Sequence, residues 1–407
     1  LFNSLSWERD AMVEIPFAAA SDEAGAALPV QTQDGRHFAL VRALPSCGWT
    51  TIRRGAQAST AVNLLRATPT TLENDLMVFT FNALGELTSA RSKADGEEVL
   101  AAPANVLHLY KDVPSSYDAW DIDSMYKKTP CDCVREATVT VIAQGPVFAA
   151  LRVTQKLHES ELTQDIVLRA HSRVLEFRTR VEWRESHKML KVAFPVAVRA
   201  EDALHEVQFG HVRRPTHATR PYDATRFEVC NHKWTALVEE GRGAAVLNDC
   251  KYGVNVDGNS INLTLLRSPL APDQTADKGQ QDFTYAFCCW QGPFLTNNPI
   301  HDAYELNVPV AVCAGNGGHQ EIVSISAANV VLESLKPAED GSGDVIVRLY
   351  ESVRTATACE LRVALPFRSV LATSMLESDG VAVPTHGAVM TLQFRPFEIK
   401  TLRLVMA

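Results

Sequence analysis

The chain has 407 residues, of which 46% are hydrophobic and 21% are charged, and its formal net charge is −9. This length predicts more than one domain, because single hydrophobic cores stop growing above roughly 250–300 residues. The mild acidity, with no run of Lys or Arg, excludes a nucleic-acid-binding surface, and apolar runs such as AFPVAV (193–198) are too short to span a membrane.

Alternation of apolar and polar residues is the dominant pattern along the chain, and it is typical of half-buried strands. In chain order it occurs in RDAMVEIPF, LMVFTFNA, ATVTVIAQGPVFAALRVTQKL, QDIVLRAHSRVLEFRTRVEW, RFEVCNHKWTALVEE, GAAVLND, DVIVRLYES, CELRVALPF and TLQFRPFEIKTLRLVM. The Gly145-Pro146 dipeptide and residues 170–172 predict turns between strands. Segments with helical periodicity are few, and AANVVLESLK (327–336) fits either a helix or a strand. An all-β fold of large antiparallel sandwiches is therefore predicted.

Three breaks in composition suggest the domain boundaries. Residues 86–104 are polar and small, residues 314–321 contain three glycines, and residues 336–344 are rich in turn formers. These breaks predict a small β-sandwich at 1–100, a large one at 101–315 and a C-terminal one at 316–407.

The segment YDAWDID places Trp120 among Asp118, Asp121 and Asp123, just after turn-forming residues. Aromatic rings stack on the apolar face of a sugar, and carboxylates accept hydrogen bonds from its hydroxyls. The loop is therefore a candidate for carbohydrate contact. The alternative is a surface turn whose Trp packs beneath its own loop.

A second candidate is LLRSPLAPDQTADKGQQDF (265–283), where a predicted strand delivers Arg267 and a Pro-rich loop presents Asp273 and Asp277. The spacing does not fit an EF-hand, since Lys278 occupies the position of the turn glycine and Thr284 that of the bidentate Glu. The segment is either a solvated loop or one that contacts a ligand or interface.

Histidines and cysteines provide no strong metal motif. His205, His211 and His217 would share one face only in an unbroken strand, and Gly210 and Pro215 argue against that.

The chain contains nine cysteines, an odd number, and two of them, Cys288 and Cys289, are adjacent. A full disulfide framework is therefore disfavoured and a reducing, cytoplasmic environment is expected. Cys131-Asp132-Cys133 lacks a second pair at zinc-like spacing and is predicted to be two reduced strand cysteines.

Motifs of self-contained catalysis are missing from the sequence. It has no G-x-S-x-G elbow, no phosphate-binding Gly loop and no H-E-x-x-H. The residues alone predict a multi-domain β-sandwich protein, and they leave sugar contact by the YDAWDID segment as one of two alternatives.

Whole phrases of the chain resemble the C-terminal half of the family 38 glycoside hydrolases, the α-mannosidases, of the cytosolic and bacterial type. These phrases include LFNSLSWERDAMVEIP, LHLYKDVPSSYDAWDID, VEWRESHKMLKVAFPV, EVQFGHVRRPTH, GAAVLNDCKYGVNVDGNSINLTLLRSP and RPFEIKTLRL, and they follow the family order from the first residue to the last. The resemblance implies that the large sandwich is a supersandwich like that of galactose mutarotase.

The resemblance also implies an activity, the retaining hydrolysis of α-mannosides. In the family an N-terminal barrel holds the catalytic carboxylates and a divalent metal, usually zinc. We expect that barrel to be missing from this chain, so that no catalytic residue and no metal site are predicted here and the chain alone is expected to be inactive. The resemblance implies substrate contact or domain clamping by two loops, through Asp118, Trp120 and Asp121 in one and Arg267, Asp273 and Asp277 in the other.

The expected partners are an α-mannoside or oligomannose substrate, the N-terminal barrel of the same protein and, in an oligomer, further copies of the chain. Nucleic acid and membrane are not expected. Two alternatives are a stand-alone carbohydrate-binding β protein and a mutarotase-like epimerase, for which His205, His211 and His217 are the candidate histidines.

Overall fold

The computed structural model describes residues 1–55, 63–132 and 136–407. Within these residues the chain forms 35 strands, three short helices and one 3-10 turn, and neighbouring strands pair antiparallel, as β13 does with β18. The predicted all-β class is confirmed. The pattern decides this because period-2 alternation gives a strand one apolar face and one polar face.

The N-terminal strands form two small sheets with the orders β2-β6-β5 and β4-β3-β8. Their bounds are β1 (Phe2–Asn3), β2 (Arg9–Ile15), β3 (Ala20–Ser21), β4 (Ala27–Leu28), β5 (Val30–Gln33), β6 (Arg36–Leu44), β7 (Gly48–Trp49) and β8 (Arg53–Arg54).

The middle of the chain contains the largest sheets. Its strands are β9 (Arg66–Thr68), β10 (Thr71–Glu73), β11 (Met77–Phe81), β12 (Leu87–Ser92), β13 (Val106–Lys111), β14 (Ala137–Gln144), β15 (Phe148–Leu157), β16 (Ser160–Arg169), β17 (Leu175–Trp183), β18 (Lys188–Pro195), β19 (Asp202–Val207), β20 (Gly210–Pro215), β21 (Val229–Cys230), β22 (Trp234–Val238), β23 (Arg242–Asn248), β24 (Gly253–Asp257), β25 (Ser260–Leu266) and β26 (Gly279–Gln291). They form a nine-stranded sheet, β14-β15-β16-β17-β26-β23-β22-β19-β20, a five-stranded sheet, β13-β18-β25-β24-β21, and a four-stranded sheet, β12-β11-β10-β9.

The helices are short and lie in the connections between strands. They are α1 (Pro221–Ala224), α2 (Phe294–Asn297) and α3 (Ile300–Asn307), with the 3-10 turn at Tyr126–Lys128.

The C-terminal strands are β27 (Gln320–Glu321), β28 (Val323–Ile325), β29 (Val330–Pro337), β30 (Val345–Glu351), β31 (Thr357–Val363), β32 (Phe367–Thr373), β33 (Val381–Val383), β34 (Val389–Phe394) and β35 (Ile399–Met406). The sheets β28-β31-β34 and β29-β30-β35-β32-β33 share one buried core, to which Leu361 and Met390 contribute from the first and Leu349 and Leu404 from the second. β27 joins β7 and β1 in a three-stranded sheet.

The chain divides into two compact units. One comprises Leu1–Ala61, Val207–His211 and Val308–Ala407, and the other comprises Val62–Glu206 and Val212–Asn307. The three domains that the sequence predicts, with boundaries near residues 100 and 315, stay a prediction.

An aromatic layer joins the two large sheets. Phe194 of the five-stranded sheet stacks on Phe287 at 5.5 Å between ring centroids and meets Phe177 edge-on at 5.8 Å. Both partners belong to the nine-stranded sheet, and all three rings are fully buried. The two sheets therefore pack face to face, and these rings form the centre of the sandwich.

The five-stranded sheet also brings three chain segments to one edge. β13 pairs with β18 and β18 pairs with β25, each antiparallel, so the end of β13, the start of β18 and the end of β25 lie side by side. Lys111 is opposite Lys188, and Leu190 is opposite Leu266. The loops that follow β13 and β25 therefore start as neighbours.

Candidate functional site

Two loops meet at this edge, and both contain residues that the sequence singled out. We call residues 112–126, which follow β13, the Trp120 loop, and residues 267–278, which follow β25, the Arg267 loop. They are distant in sequence and are brought together because β18 lies between their strands in the sheet.

Arg267 joins the two loops through its guanidinium group. Its Nε donates to Asp112 Oδ2 at 2.5 Å, and its Nη2 donates to the backbone oxygens of Asp121 at 2.6 Å and Asp118 at 3.3 Å. Asp112 is only 3% exposed, so this ion pair is largely shielded from water. A guanidinium group suits this position because its donors diverge in a fixed plane and can bind several acceptors at once.

Asp118 makes the reciprocal connection. Its Oδ2 accepts hydrogen bonds from the backbone N–H groups of Leu270 at 2.7 Å and Ala271 at 3.1 Å, and it lies 3.0 Å from His187 Nε2. Burial opposes ionisation of this carboxyl group, but the hydrogen bonds from His187 and the two backbone groups outweigh it and lower the pKa of Asp118. Asp118 is thus held as a carboxylate that fixes the Arg267 loop.

The sequence did not identify Asp112 and His187 as site residues. Asp112 is the residue directly after β13, and its N–H donates to the backbone oxygen of His187 at 2.8 Å. An acidic residue at the end of an alternating strand is a weak signal that could have pointed to Asp112. His187 carries no such signal, because its role depends on β18 lying between β13 and β25.

Trp120 lies at the surface of its loop, with 73% of the residue exposed, and Tyr117 is 76% exposed. A tight turn presents them, in which the N–H groups of Trp120 and Asp121 both donate to the backbone oxygen of Tyr117, at 2.8 and 2.9 Å. Tyr117 adopts a positive φ of 54° in this turn. Trp120 therefore does not pack beneath its own loop, and two aromatic side chains are open to a ligand.

The other three residues that the sequence predicts for the site, Asp121, Asp273 and Asp277, have different hydrogen-bond partners. The carboxylate of Asp273 accepts from the N–H and the hydroxyl of Thr275, both at 2.8 Å, and these bonds lower the pKa of Asp273. Asp277 accepts from the backbone N–H of Arg267 at 3.3 Å. Asp121 is exposed and hydrogen-bonds locally to the N–H of Ile122. These three carboxylates lie at the surface of the two joined loops.

The three histidines that the sequence considered for zinc or for epimerase chemistry have separate partners. His205 is buried beside Thr235 at 3.2 Å, His211 lies 3.3 Å from the backbone oxygen of Ser352, and His217 lies 2.7 Å from Thr219. Among the residues that the structure describes, no group of three His, Cys, Asp or Glu side chains could hold a metal ion.

The thiols that the structure describes are free, including Cys131 and the buried neighbours Cys288 and Cys289. Burial raises the pKa of Cys289 to about 12, so this thiol is inert at neutral pH. Cys133, predicted to be a reduced strand cysteine, lies outside the described residues.

Every helix among the described residues is too short or too polar to span a membrane.

Comparison with known proteins connects this site to a family. Residues 72–275 match the description "Glycosyl hydrolases family 38 C-terminal domain", and residues 329–402 match "Glycosyl hydrolases family 38 C-terminal beta sandwich domain". The first match contains the whole Trp120 loop and the Arg267 loop up to residue 275.

Curated relatives agree with this match. The chain is 37% identical over 348 residues to Alpha-mannosidase 2C1 of Homo sapiens, which covers 83% of this chain and 34% of that protein. It is 30% identical over 436 residues to Alpha-mannosidase G of Dictyostelium discoideum, which covers 99% of this chain and 40% of that protein. The chain thus spans between a third and two fifths of the length of these relatives.

A solved structure shares the fold. The crystal structure of an alpha-mannosidase from Enterococcus faecalis V583 superposes with a TM-score of 0.77 at 16% identity, over 99% of this chain and 55% of that one. The family resemblance drawn from the sequence phrases is confirmed, and the chain belongs to glycoside hydrolase family 38, whose C-terminal β region it matches.

Proposed function

We propose that this chain is the C-terminal β region of an α-mannosidase that hydrolyses α-mannosides with retention of configuration. In this proposal the chain supports and completes an active site whose reacting groups are on a catalytic barrel domain. The observation that carries the proposal is the pair of loops clamped together through Arg267 and Asp118, which presents two exposed aromatic rings beside surface carboxylates.

The loop chemistry suits a mannoside. The exposed ring of Trp120 offers a flat apolar face for the C–H side of a pyranose, and Asp121 offers a carboxylate that accepts from sugar hydroxyls. Because Arg267 and Asp118 fix the loop backbone before substrate arrives, little conformational entropy is lost on binding. The loop therefore acts as a preorganised rim of a sugar pocket.

The reaction itself needs groups outside this site. Retaining hydrolysis uses two carboxyl groups about 5–5.5 Å apart, one as nucleophile and one as acid and base. We assign neither role to an Asp or Glu of this chain and place both on the catalytic barrel, as the family resemblance implies. The described residues also do not fit a divalent metal. We place the metal that the family resemblance implies, usually zinc, in the catalytic domain.

The cellular setting follows the same proposal. Free thiols on exposed residues such as Cys230 and Cys250 favour a reducing compartment, and we propose the cytoplasm. Assembly into a homo-oligomer, with the catalytic barrel of the same protein as a further partner, is proposed from the family resemblance.

Replacing Trp120 tests the proposal. In the full-length protein we expect Trp120→Ala to raise KM for an α-mannoside about fivefold, since a stacked aromatic contact contributes on the order of 1 kcal/mol. The melting temperature should change little, because Trp120 is mostly exposed.

Tyr252→Ala is the matched control, since Tyr252 is another exposed aromatic residue but lies outside both loops. It should leave KM unchanged. A large fall in melting temperature with normal kinetics for Trp120→Ala would show a packing role and contradict sugar contact.

A further inference from the structure

A buried charged cluster lies beneath the C-terminal end of the Trp120 loop. Tyr126 is only 2% exposed, and its hydroxyl donates to Glu228 Oε1 at 2.5 Å. Lys191 Nζ donates to the same oxygen at 2.6 Å and to Thr264 Oγ1 at 2.7 Å. The ring of Tyr126 also packs edge-on against Tyr110, with 5.1 Å between centroids.

The cluster lies on the outer face of the five-stranded sheet. Lys191 and Phe194 are three residues apart in β18, so their side chains point to opposite faces, and Phe194 points into the aromatic core. Lys191 is paired in register with His108 and Thr264 of the neighbouring strands. Tyr126 thus covers the face of the sheet that is turned away from the core.

Burying an ammonium and a carboxylate costs free energy of solvation, and well-packed apolar residues in their place are often no less stable. Burial lowers the pKa of Lys191, and the charge of Glu228 opposes this shift. The ammonium group is therefore buried at a cost in solvation free energy. Burial, reinforced by the charge of Glu228, raises the pKa of Tyr126, which therefore keeps its proton and remains a donor. A contribution to stability therefore does not explain why these charged residues are buried. The directional hydrogen bonds that they make to Tyr126 and Thr264 explain it better.

The hydrogen bonds of this cluster connect three separate parts of the chain. Tyr126 ends the Trp120 loop, Lys191 and Thr264 lie on β18 and β25, and Glu228 lies just before β21. β18 and β25 are also the strands whose ends place His187 and Arg267. The loop is therefore held on one side at the sheet edge, through Arg267, and on the other side at the outer face, through Tyr126.

Trp120 lies at the first anchor, between Asp118 and Asp121, whose backbone oxygens both accept from Arg267. Arg267 holds the backbone oxygen of Asp121, and Tyr126 follows five residues later. Five residues can span up to about 18 Å when extended, so the first anchor alone does not fix Tyr126. The hydrogen bonds of Thr129 and Cys131 to β13 hold the chain beyond it, and the Tyr126 hydroxyl fixes the stretch between them.

We propose that Tyr126, Glu228 and Lys191 are positioning residues that fix the Trp120 loop and thereby set where its aromatic side chains meet a ligand. The last part of this proposal rests on the proposed function, whereas the fixing of the loop does not depend on it.

The experiment uses Tyr126→Phe, which removes one hydroxyl and keeps the ring. The exposed Lys127 and Lys128 in the adjoining 3-10 turn make the order of the loop measurable by trypsin. Cleavage after these residues needs local opening, so we expect Tyr126→Phe to accelerate it about tenfold, as for loss of a hydrogen bond to a charged group. Mass spectrometry identifies the cut, and the same full-length protein is assayed for KM and kcat with an α-mannoside, where KM should rise more than kcat falls.

Tyr110→Phe is the matched control, because it removes a hydroxyl from the neighbouring ring on the same face of the sheet. It should leave both the trypsin rate and KM unchanged. Thr264→Val removes one bond to Lys191 and should accelerate cleavage in the same direction but less.

An unchanged rate of cleavage after Lys127 and Lys128 in Tyr126→Phe would overturn the proposal, whatever the kinetics. Faster cleavage with a raised KM supports it fully. Faster cleavage with an unchanged KM supports the fixing of the loop and counts instead against sugar contact by the Trp120 loop, so the two proposals fail separately.

Discussion

Arg267 is the side chain on which the contact between the two loops depends. Its ion pair with Asp112 has little solvent access, with side-chain exposures of 16% and 2%. We expect Arg267→Ala to lower the free energy of unfolding by about 3 kcal/mol or more, because it leaves the charge of Asp112 buried and unpaired. Chemical denaturation measures this loss.

Arg180→Ala is the control for Arg267→Ala. Arg180 pairs with Asp282 at 2.7 Å, but both side chains are more than half exposed. Its removal should cost less than about 1 kcal/mol. Equal losses in the two variants would show that the buried pair adds nothing to the joining of the loops.

Asp118 makes the stability of the folded protein depend on pH in the acidic range. Because its pKa in the folded protein lies below its ordinary value of 3.8, it stabilises the fold at pH above that value, and this contribution is lost as the pH falls through the folded pKa. We expect Asp118→Asn to be less stable than the native protein at pH 6, with a difference that shrinks towards pH 2. Urea unfolding at several pH values measures the difference, and a constant gap would refute the assignment.

Some residues of the site could be predicted from the sequence, and others could not. Asp118, Trp120 and Arg267 stand in contexts that suggest sugar contact or ion pairing, and the structure places all three in the joined loops. Their partners Asp112 and His187 were missed, because which residue meets a charged group is set by strand order.

At the scale of elements, the pairing of β23 with β26 leaves no room for a side chain at Gly243. Gly243 lies opposite Trp290 in register, and a Cβ atom there would meet the indole at 2.1 Å. We expect Gly243→Ala to destabilise the protein by about 1–3 kcal/mol, the usual cost of overpacking. Equilibrium unfolding in guanidinium is the measurement.

Gly241→Ala, two residues earlier, is its control, since a Cβ atom there meets nothing within 4 Å. It should change the unfolding free energy little. A loss in Gly243→Ala no larger than in Gly241→Ala would mean that Trp290 can move aside freely.

The elements themselves were largely predictable from the sequence. The turn at Gly145-Pro146 joins β14 and β15, and residues 170–172 separate β16 from β17, as predicted. Residues 327–336 fitted either a helix or a strand and lie mostly in β29, which pairs with β30. Their local pattern was ambiguous, and pairing with a neighbouring strand decided it.

For the whole molecule, the proposed division of labour predicts that a purified preparation of these 407 residues does not hydrolyse α-mannosides, with or without added zinc. The physical reason is that the reacting carboxylates and the metal are proposed to lie on the catalytic barrel, and among the described residues no group of three His, Cys, Asp or Glu side chains could hold a metal ion. A chromogenic α-mannoside assay tests this, with the full-length protein as the positive control. Turnover by the preparation would contradict the proposed role.

The sequence by itself determined the all-β class, most strand positions, the two candidate loops and the family, because alternation, turn residues and whole phrases are local features of the chain. Only the tertiary structure decided that the two loops form one site. Their joining depends on β18 pairing between β13 and β25, and on buried partners such as Asp112, His187 and Glu228 that are distant in sequence. Contacts of this kind follow from the order and register of strands in a sheet, which local pattern does not specify.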